Sequence, residues 1–565
     1  MELYIDGRKI TADPGQTLLD MIKLLGLDAD ALSEKPLAAK IAGEVFNLNY
    51  IPVRNNSIGS ERSSIRRAMQ ASQGIVELIR YEDPAGKDVY NRTVQFVLFL
   101  ALHRLWPESQ VKMGCMVGNA LYVEVCNEAF SVEILKEQVT EIIDCNLSLI
   151  RKRVPLCNAI SYFAQMGRGD VVNLLKQRTV DYFDLYSYEG FSDYYYGELA
   201  PSTGYVQVWD ILPMDGGFMF LYPETENPDQ VSRFENMPNF LNACNEGERW
   251  CELMECQCVS DLNGLTENGK IRDLIRVNEA LHEKRFAQIA DMICEKGAKV
   301  VLLAGPSSSG KTTSANRLAT QLRVYGKKPK LISLDDYYLN RDQILPGSDG
   351  KVDLEHINTI DTALFGSHIK ALISGATVQI PSFDFKTGMR KWEDRCLRLE
   401  ENTVLIVEGL HALNPVLLPA DIEQNTVFKL YVTPLLPLNL DNHNRISSSL
   451  LRLLRRTVRD YKTRGASVQQ TMEMWDSVRR GEKRWIFPFQ EGADTILNSS
   501  TLYELAVLKK YIYPLLVAIP PEDSCYEQVR GLVKVLNYVM EADADDEIPP
   551  TSIVREFIGG NRFYM

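Results

Sequence analysis

The chain has 565 residues, a formal net charge of −13 and 24% charged residues. That length exceeds one ordinary hydrophobic core and calls for several domains. The acidic balance argues against a broad nucleic-acid-binding surface, and no uninterrupted apolar run is long enough to span a bilayer. The opening MELYIDG lacks a basic and then apolar leader, and the 11 cysteines are an odd number. Both features read as reduced thiols in a cytoplasmic protein.

Residues 1–60 read as one small unit. LYIDGRKI predicts a strand with a turn at Asp6-Gly7. LLDMIKLLGL predicts a helix with Thr17 as its N-cap, and β-rich residues return around Gly43. Strand, strand, helix, strand in this span suggests a β-grasp fold. No acid, base or nucleophile clusters here, so an interaction module is expected.

Residues 61–225 read as a second, α+β unit. NRTVQFVLFLALHRLWP has helical periodicity, and YFDLYSYEG and FSDYYYGELAPSTGYVQVWDI read as strands and turns. His103, alone beside an apolar run, reads as structural. Residues 226–272 carry turn signals in ENPDQ and NMPN and read as a linker. Cys244, Cys251, Cys256 and Cys258 fall there without the paired spacing of a zinc site. RDLIRVNEALHEKRFAQIADMICEKG then predicts a long helix ending at Gly297.

Residues 273–520 hold the chemistry. In KVVLLAGPSSSGKTTSANRLATQL, an apolar strand, a glycine loop and a helix follow in order. Gly305 to Thr312 fit G-x-x-x-x-G-K-[ST], the P-loop pattern. Such a loop turns consecutive N–H groups toward phosphate oxygens at a helix N-terminus. Gly305, Ser307, Ser308, Ser309, Gly310, Lys311, Thr312 and Thr313 are the expected nucleotide-binding residues. Lys311 would reach the outer phosphates of ATP, and Thr312 would ligate Mg2+.

Two further strands end in acids. KPKLISLDDYY places Asp335 and Asp336 at a strand end, where a carboxylate can take a proton from an acceptor hydroxyl. TVLIVEG places Glu408 where a carboxylate can hold the magnesium ion or its water shell. In SSSLLRLLRRTVRDYKTRG, Arg452, Arg455, Arg456 and Arg459 share one helical face, a candidate triphosphate clamp. Residues 521–565 read as an acidic connector, EADADDEIPP, and a less polar end expected to dock on the P-loop domain.

Three resemblances follow from these residues. YIDG, GQTLLD and PLAAKIAGEVFNLNY resemble the TGS module. LWP and PSTG resemble the second additional, editing-type domain of threonyl-tRNA synthetases. In that family two histidine- and cysteine-bearing pairs bind zinc; here the matching positions are Arg92 and Phe96, then Tyr195 and Leu199, none a good zinc ligand. LISLDDYY, DLEHINTID, IPSFDFKTGMR, VLIVEG, LLRRTVRDYKTRG and GADTILNSS resemble, in order, the uridine kinases and their phosphoribulokinase relatives.

That last resemblance implies a multidomain α/β chain with a P-loop parallel-sheet kinase core. It implies transfer of the ATP γ-phosphate to the 5′-hydroxyl of a nucleoside. Asp335 takes the general-base position, with Lys311, Arg459 and Arg464 contacting phosphates. Tyr338, Glu355, Phe383, Asp384, Phe385, Arg390 and Arg456 fall at acceptor-binding positions. Two positions depart from the pyrimidine-kinase pattern: Phe383 replaces a tyrosine and Gly388 a histidine, both readers of the base. Loss of such polar readers relaxes discrimination. A sugar phosphate therefore stands as an alternative acceptor, and a nucleotide-responsive tRNA or ribosome regulator as an alternative class. No N-K-x-D guanine-reading motif follows the P-loop, against a GTPase switch. The base preferred, the role of the first two domains and homo-oligomerisation stay open.

Overall fold

The computed structural model describes residues 2–52, 72–178, 180–344, 355–384 and 387–564. The chain forms two compact units. The first comprises residues 1–236, 439–445 and 519–538, and the second residues 237–438, 446–518 and 539–565.

In the first unit, β1 (Glu2–Ile5), β2 (Arg8–Thr11), β3 (Ala38–Ile41), β4 (Glu44–Phe46) and β5 (Ile75–Ile79) form one sheet ordered β2-β1-β5-β3-β4. Helix α1 (Leu18–Leu24) packs Leu18, Met21 and Ile22 into its core. Thr17 caps α1, as the sequence predicts, and the structure adds a capping box with Asp20. The β1 and β5 pairing is parallel. This is a β-grasp arrangement, but its central strand comes from beyond residue 60. The expected boundary there is corrected, because among the described residues β5 is the strand that joins β1 to β3.

The remainder of this unit is α+β. Helix α2 (Pro84–Leu105) is buried along most of its length against a sheet ordered β11-β12-β7-β6. Those strands are β6 (Gln110–Val117), β7 (Ala120–Cys126), β11 (Asp210–Met214) and β12 (Gly217–Leu221). A second sheet is ordered β10-β9-β8, from β8 (Arg151–Pro155), β9 (Tyr182–Tyr188) and β10 (Phe191–Asp193). The hairpin 439–445 belongs here: Asp441 is fully buried and bonded to Arg168, Asn444 and Tyr194. Sequence alone assigns that hairpin to the kinase region, because its seven residues carry no boundary signal.

The second unit contains the parallel sheet. Its strands are β13 (Val300–Ala304), β14 (Lys328–Ser333), β17 (Thr403–Glu408), β18 (Val427–Thr433) and β19 (Thr495–Asn498), ordered β14-β17-β13-β18-β19. Every pairing is parallel. Val300–Ala304 are at most 1% exposed, as a strand covered on both faces requires. Burial of each such aliphatic side chain contributes roughly 1.5–3 kcal/mol. Between β14 and β17 lies an antiparallel arm, β15 (Val378–Asp384) and β16 (Met389–Leu397).

The long helix α3 (Ile271–Lys296) ends at Gly297, which adopts φ +68°. The expected linker 226–272 is instead largely helical, with Pro238–Leu253 and Val259–Glu267. Its four cysteines are buried. Burial pushes the Cys258 thiol up to about 12. Residues 521–565 also divide, 519–538 with the first unit and 539–565 with the second. No helix among the described residues is long and apolar enough to cross a membrane.

Candidate active site

The P-loop leaves the carboxyl end of β13, the centre of the sheet. Gly305 is required by proximity: an added Cβ would stand 2.1 Å from the Val432 carbonyl oxygen. Gly310 adopts φ +83° and precedes helix α4 (Lys311–Val324). Ser308 also takes a positive φ, 60°, which tightens the loop. The buried Ser308 and Ser309 hydroxyls have no hydrogen-bond partner among the described residues. Orphaned donors beside a helix N-terminus suit phosphate oxygens.

Three charged groups converge at the carboxyl ends of neighbouring strands. Lys311 follows β13, Asp335 follows β14 and Glu408 ends β17. Burial pushes the Lys311 ammonium down, while Glu408, Glu556 and Asp335 pull it back up. Burial lifts the Asp335 carboxyl above its ordinary value, opposed by Lys311. Glu408 is pushed up to about 7, first by burial and then by Asp335. Ser333 Oγ donates to Glu408 Oε1 at 3.2 Å. The neighbouring acid has another job: Asp336 accepts from Arg395 Nη1 at 2.8 Å. Asp335 is therefore the acid of the pair that shares the electrostatics of Lys311.

The arginine helix, α5 (Ser448–Arg464), carries two kinds of arginine. Arg452 Nε donates to the Ser307 carbonyl at 2.9 Å and pairs with Glu482. Arg455 is fully buried, bonded to both Glu504 oxygens and to the Ser499 carbonyl. These two are props of the P-loop and its surroundings, which corrects the expectation of a four-arginine clamp. Helical periodicity places them on one face but does not say what covers it.

Arg456, Arg459 and Arg464 instead gather on Asp460. Arg456 Nη1 also donates to Ser307 Oγ at 2.8 Å. Arg464 remains more than half exposed. Glu482, on helix α6 (Val468–Trp485), accepts from the Ser307 amide at 2.9 Å. Neither Asp460 nor Glu482 stands out in the sequence, where each is flanked by basic residues of its helix.

The acceptor side is built around Tyr338. Its ring lies 5.5 Å from that of Phe383. Burial pushes its phenol well up, with Asp335 and Glu355 adding to the effect. Glu355 also acts on Arg456, so both predicted residues share this space. Arg390 is committed elsewhere: it donates to Asp361, to the Tyr337 carbonyl and to the Tyr338 carbonyl, at 2.9, 2.9 and 3.1 Å. It thus braces the Tyr338 backbone. Asp384 accepts from Lys391 Nζ at 2.7 Å. Phe385 lies outside the described residues. Gly388 adopts φ +71°, and an added Cβ would stand 2.4 Å from Arg341 Cδ. The Arg341 side chain thus lies where the resemblance puts a histidine. No local pattern signals this approach, since the two residues are far apart in the chain.

In the first unit two of the four zinc-pair positions, Phe96 and Tyr195, meet. The Phe96 and Tyr195 rings lie 6.5 Å apart, Arg92 Nε donates to the Glu198 carbonyl at 3.0 Å, and Leu199 is fully buried. His103 packs on Phe191, and burial lowers its pKa.

Residues 300–505 match the phosphoribulokinase / uridine kinase family. Within the chain this kinase-family region spans all five strands of the parallel sheet and the acids at their ends. A uridine kinase from Macrococcus caseolyticus is 28% identical over 209 residues, 37% of this chain and 91% of that protein. A threonine–tRNA ligase from Clostridium kluyveri is 27% identical over 218 residues, 38% of this chain. The chain spans only 31% of that ligase's length. A solved structure described as a possible uridine kinase from Bacillus stearothermophilus is 16% identical over 37% of this chain and 96% of its own, with a TM-score of 0.25.

Proposed function

We propose that the chain is an ATP- and Mg2+-dependent kinase that phosphorylates the 5′-hydroxyl of a nucleoside. The observation that carries this reading is the convergence of Lys311, Asp335 and Glu408 beside the P-loop.

The acceptor oxygen attacks the γ-phosphorus of ATP as the bond from that phosphorus to the β-phosphate bridging oxygen breaks. The hydroxyl proton passes to Asp335, and ADP leaves. Backbone amides of residues 310–313 and the Lys311 ammonium hold phosphate oxygens, while the Ser307 amide stays with Glu482. Arg459 and Arg464 offer guanidinium groups to the transferring charge. Thr312 and Glu408 are the residues that would hold Mg2+, which neutralises phosphate charge when bound. Tyr338, Phe383 and Glu355 line the acceptor side.

We read the first unit as an accessory module of TGS-like and editing-like character, without hydrolytic chemistry. The similarity to a threonine–tRNA ligase supports the likeness. Arg92, Phe96, Tyr195 and Leu199 at the zinc-pair positions support the lack of chemistry.

A second acceptor class is favoured by Arg341. A guanidinium side chain against Gly388 suits a phosphorylated hydroxyl compound better than a pyrimidine edge. The test is a product-resolved assay with ATP and Mg2+ against ribonucleosides, deoxyribonucleosides and phosphosugars. Phosphorylated nucleoside supports the first reading. Turnover of phosphosugars alone, lost in Arg341→Ala, moves the assignment to the second. No phosphorylated product from any acceptor contradicts both.

A further inference from the structure

Residues 550–561 end at the phosphate cradle. The Thr313 amide donates to Glu556 Oε2 at 3.2 Å, and the Thr313 hydroxyl donates to the same oxygen at 2.7 Å. Asn561 Nδ2 donates to Thr313 Oγ1 at 2.9 Å. Ile553 sits so close to Gly310 that an added Cβ would stand 2.5 Å from its Cγ2. All of these residues belong to the second unit.

The segment is anchored. Phe557 is fully buried and lies 4.8 Å from the Arg455 guanidinium. Lys462 Nζ donates to the Ile558 carbonyl at 2.6 Å. Gly559 and Gly560, at φ +90° and +79°, then turn the chain so that Asn561 returns to Thr313. Such angles suit glycine and few other residues.

Thr313 lies in the first turn of α4, where backbone N–H groups and the helix dipole attract anions. One N–H and one hydroxyl there are now held by a carboxylate. A phosphate oxygen cannot accept from the same donors at the same time, and its charge would repel Glu556. We propose that Glu556 is a built-in competitor for the P-loop, an autoinhibitory carboxylate that a nucleotide phosphate must displace. The proposal rests on the P-loop reading given above. If only the fraction of molecules with Glu556 withdrawn binds nucleotide, the apparent Kd rises by the inverse of that fraction.

The test is calorimetric titration of the full chain with ADP and Mg2+, for wild type, Glu556→Gln, Glu556→Ala and Lys311→Ala. Glu556→Gln keeps shape and removes charge, so folding is not at issue. The expected result is binding tighter by about five- to tenfold in both Glu556 variants, and lost in Lys311→Ala. Equal or weaker binding by the Glu556 variants, with Lys311→Ala still defective, overturns the competitor and leaves the P-loop reading intact. Absence of binding by wild type and both Glu556 variants overturns both.

Discussion

The Ser307 amide donates to Glu482 Oε1 at 2.9 Å, and the same carboxylate pairs with the buried Arg452. Arg452 closes the circuit by donating to the Ser307 carbonyl. One residue of the P-loop is thus held at both its polar backbone atoms by an ion pair from two helices. Glu482→Ala leaves Arg452 buried without its partner and should cost about 3–5 kcal/mol of stability. Thermal and urea denaturation check this. Nucleotide affinity should fall in the same variant, because the loop loses its fixed amide.

Glu408 gives a pH signature. Its folded pKa, about 7, lies above the ordinary 4.5, so the folded protein holds this proton more tightly than the unfolded chain does. The resulting penalty is absent below pH 4.5, grows as pH rises, and is complete above about 7. Glu408→Gln should therefore stabilise the ligand-free protein above pH 7 by on the order of 2–3 kcal/mol, with the gain vanishing toward pH 4. Urea denaturation across that range measures it. Mg2+ affinity of the wild type should fall as pH drops below 7, since the proton and the cation compete for one carboxylate.

Arg390 separates positioning from binding. It bonds the Tyr337 and Tyr338 carbonyls and Asp361, so its loss should loosen the acceptor wall and leave the P-loop alone. Arg390→Ala should lower acceptor kcat/KM by on the order of 10²-fold, as small misplacements do. The Kd for ADP should be unchanged. Steady-state kinetics beside calorimetry show the split.

The parts of the site legible in the sequence are those written in one short stretch. The apolar VVLLA run, the glycine loop and the helix after it predict a P-loop on a buried strand, and β13, Gly310 and α4 are placed so. LISLDD and TVLIVEG likewise predict strand-end acids, because a buried parallel strand is a continuous apolar run. What escapes is whatever depends on distant residues. The spacing of Arg452 and Arg455 predicts a shared face, but Glu482 and Glu504 decide that it is buried. The β-grasp sheet needs β5, which begins at Ile75, well after β4 ends at Phe46. Glu556 meets Thr313 across 243 residues, a contact no local pattern signals.

The most direct measurement of the phosphoryl-transfer account is the rate of ATP-dependent phosphorylation by Asp335→Asn beside wild type, with the preferred acceptor. The substituted amide keeps the shape of the carboxylate but cannot take the proton. The account predicts that kcat falls by about 10²- to 10⁴-fold while ADP affinity is retained. A variant that turns over at the wild-type rate would contradict the assignment of Asp335 as the base.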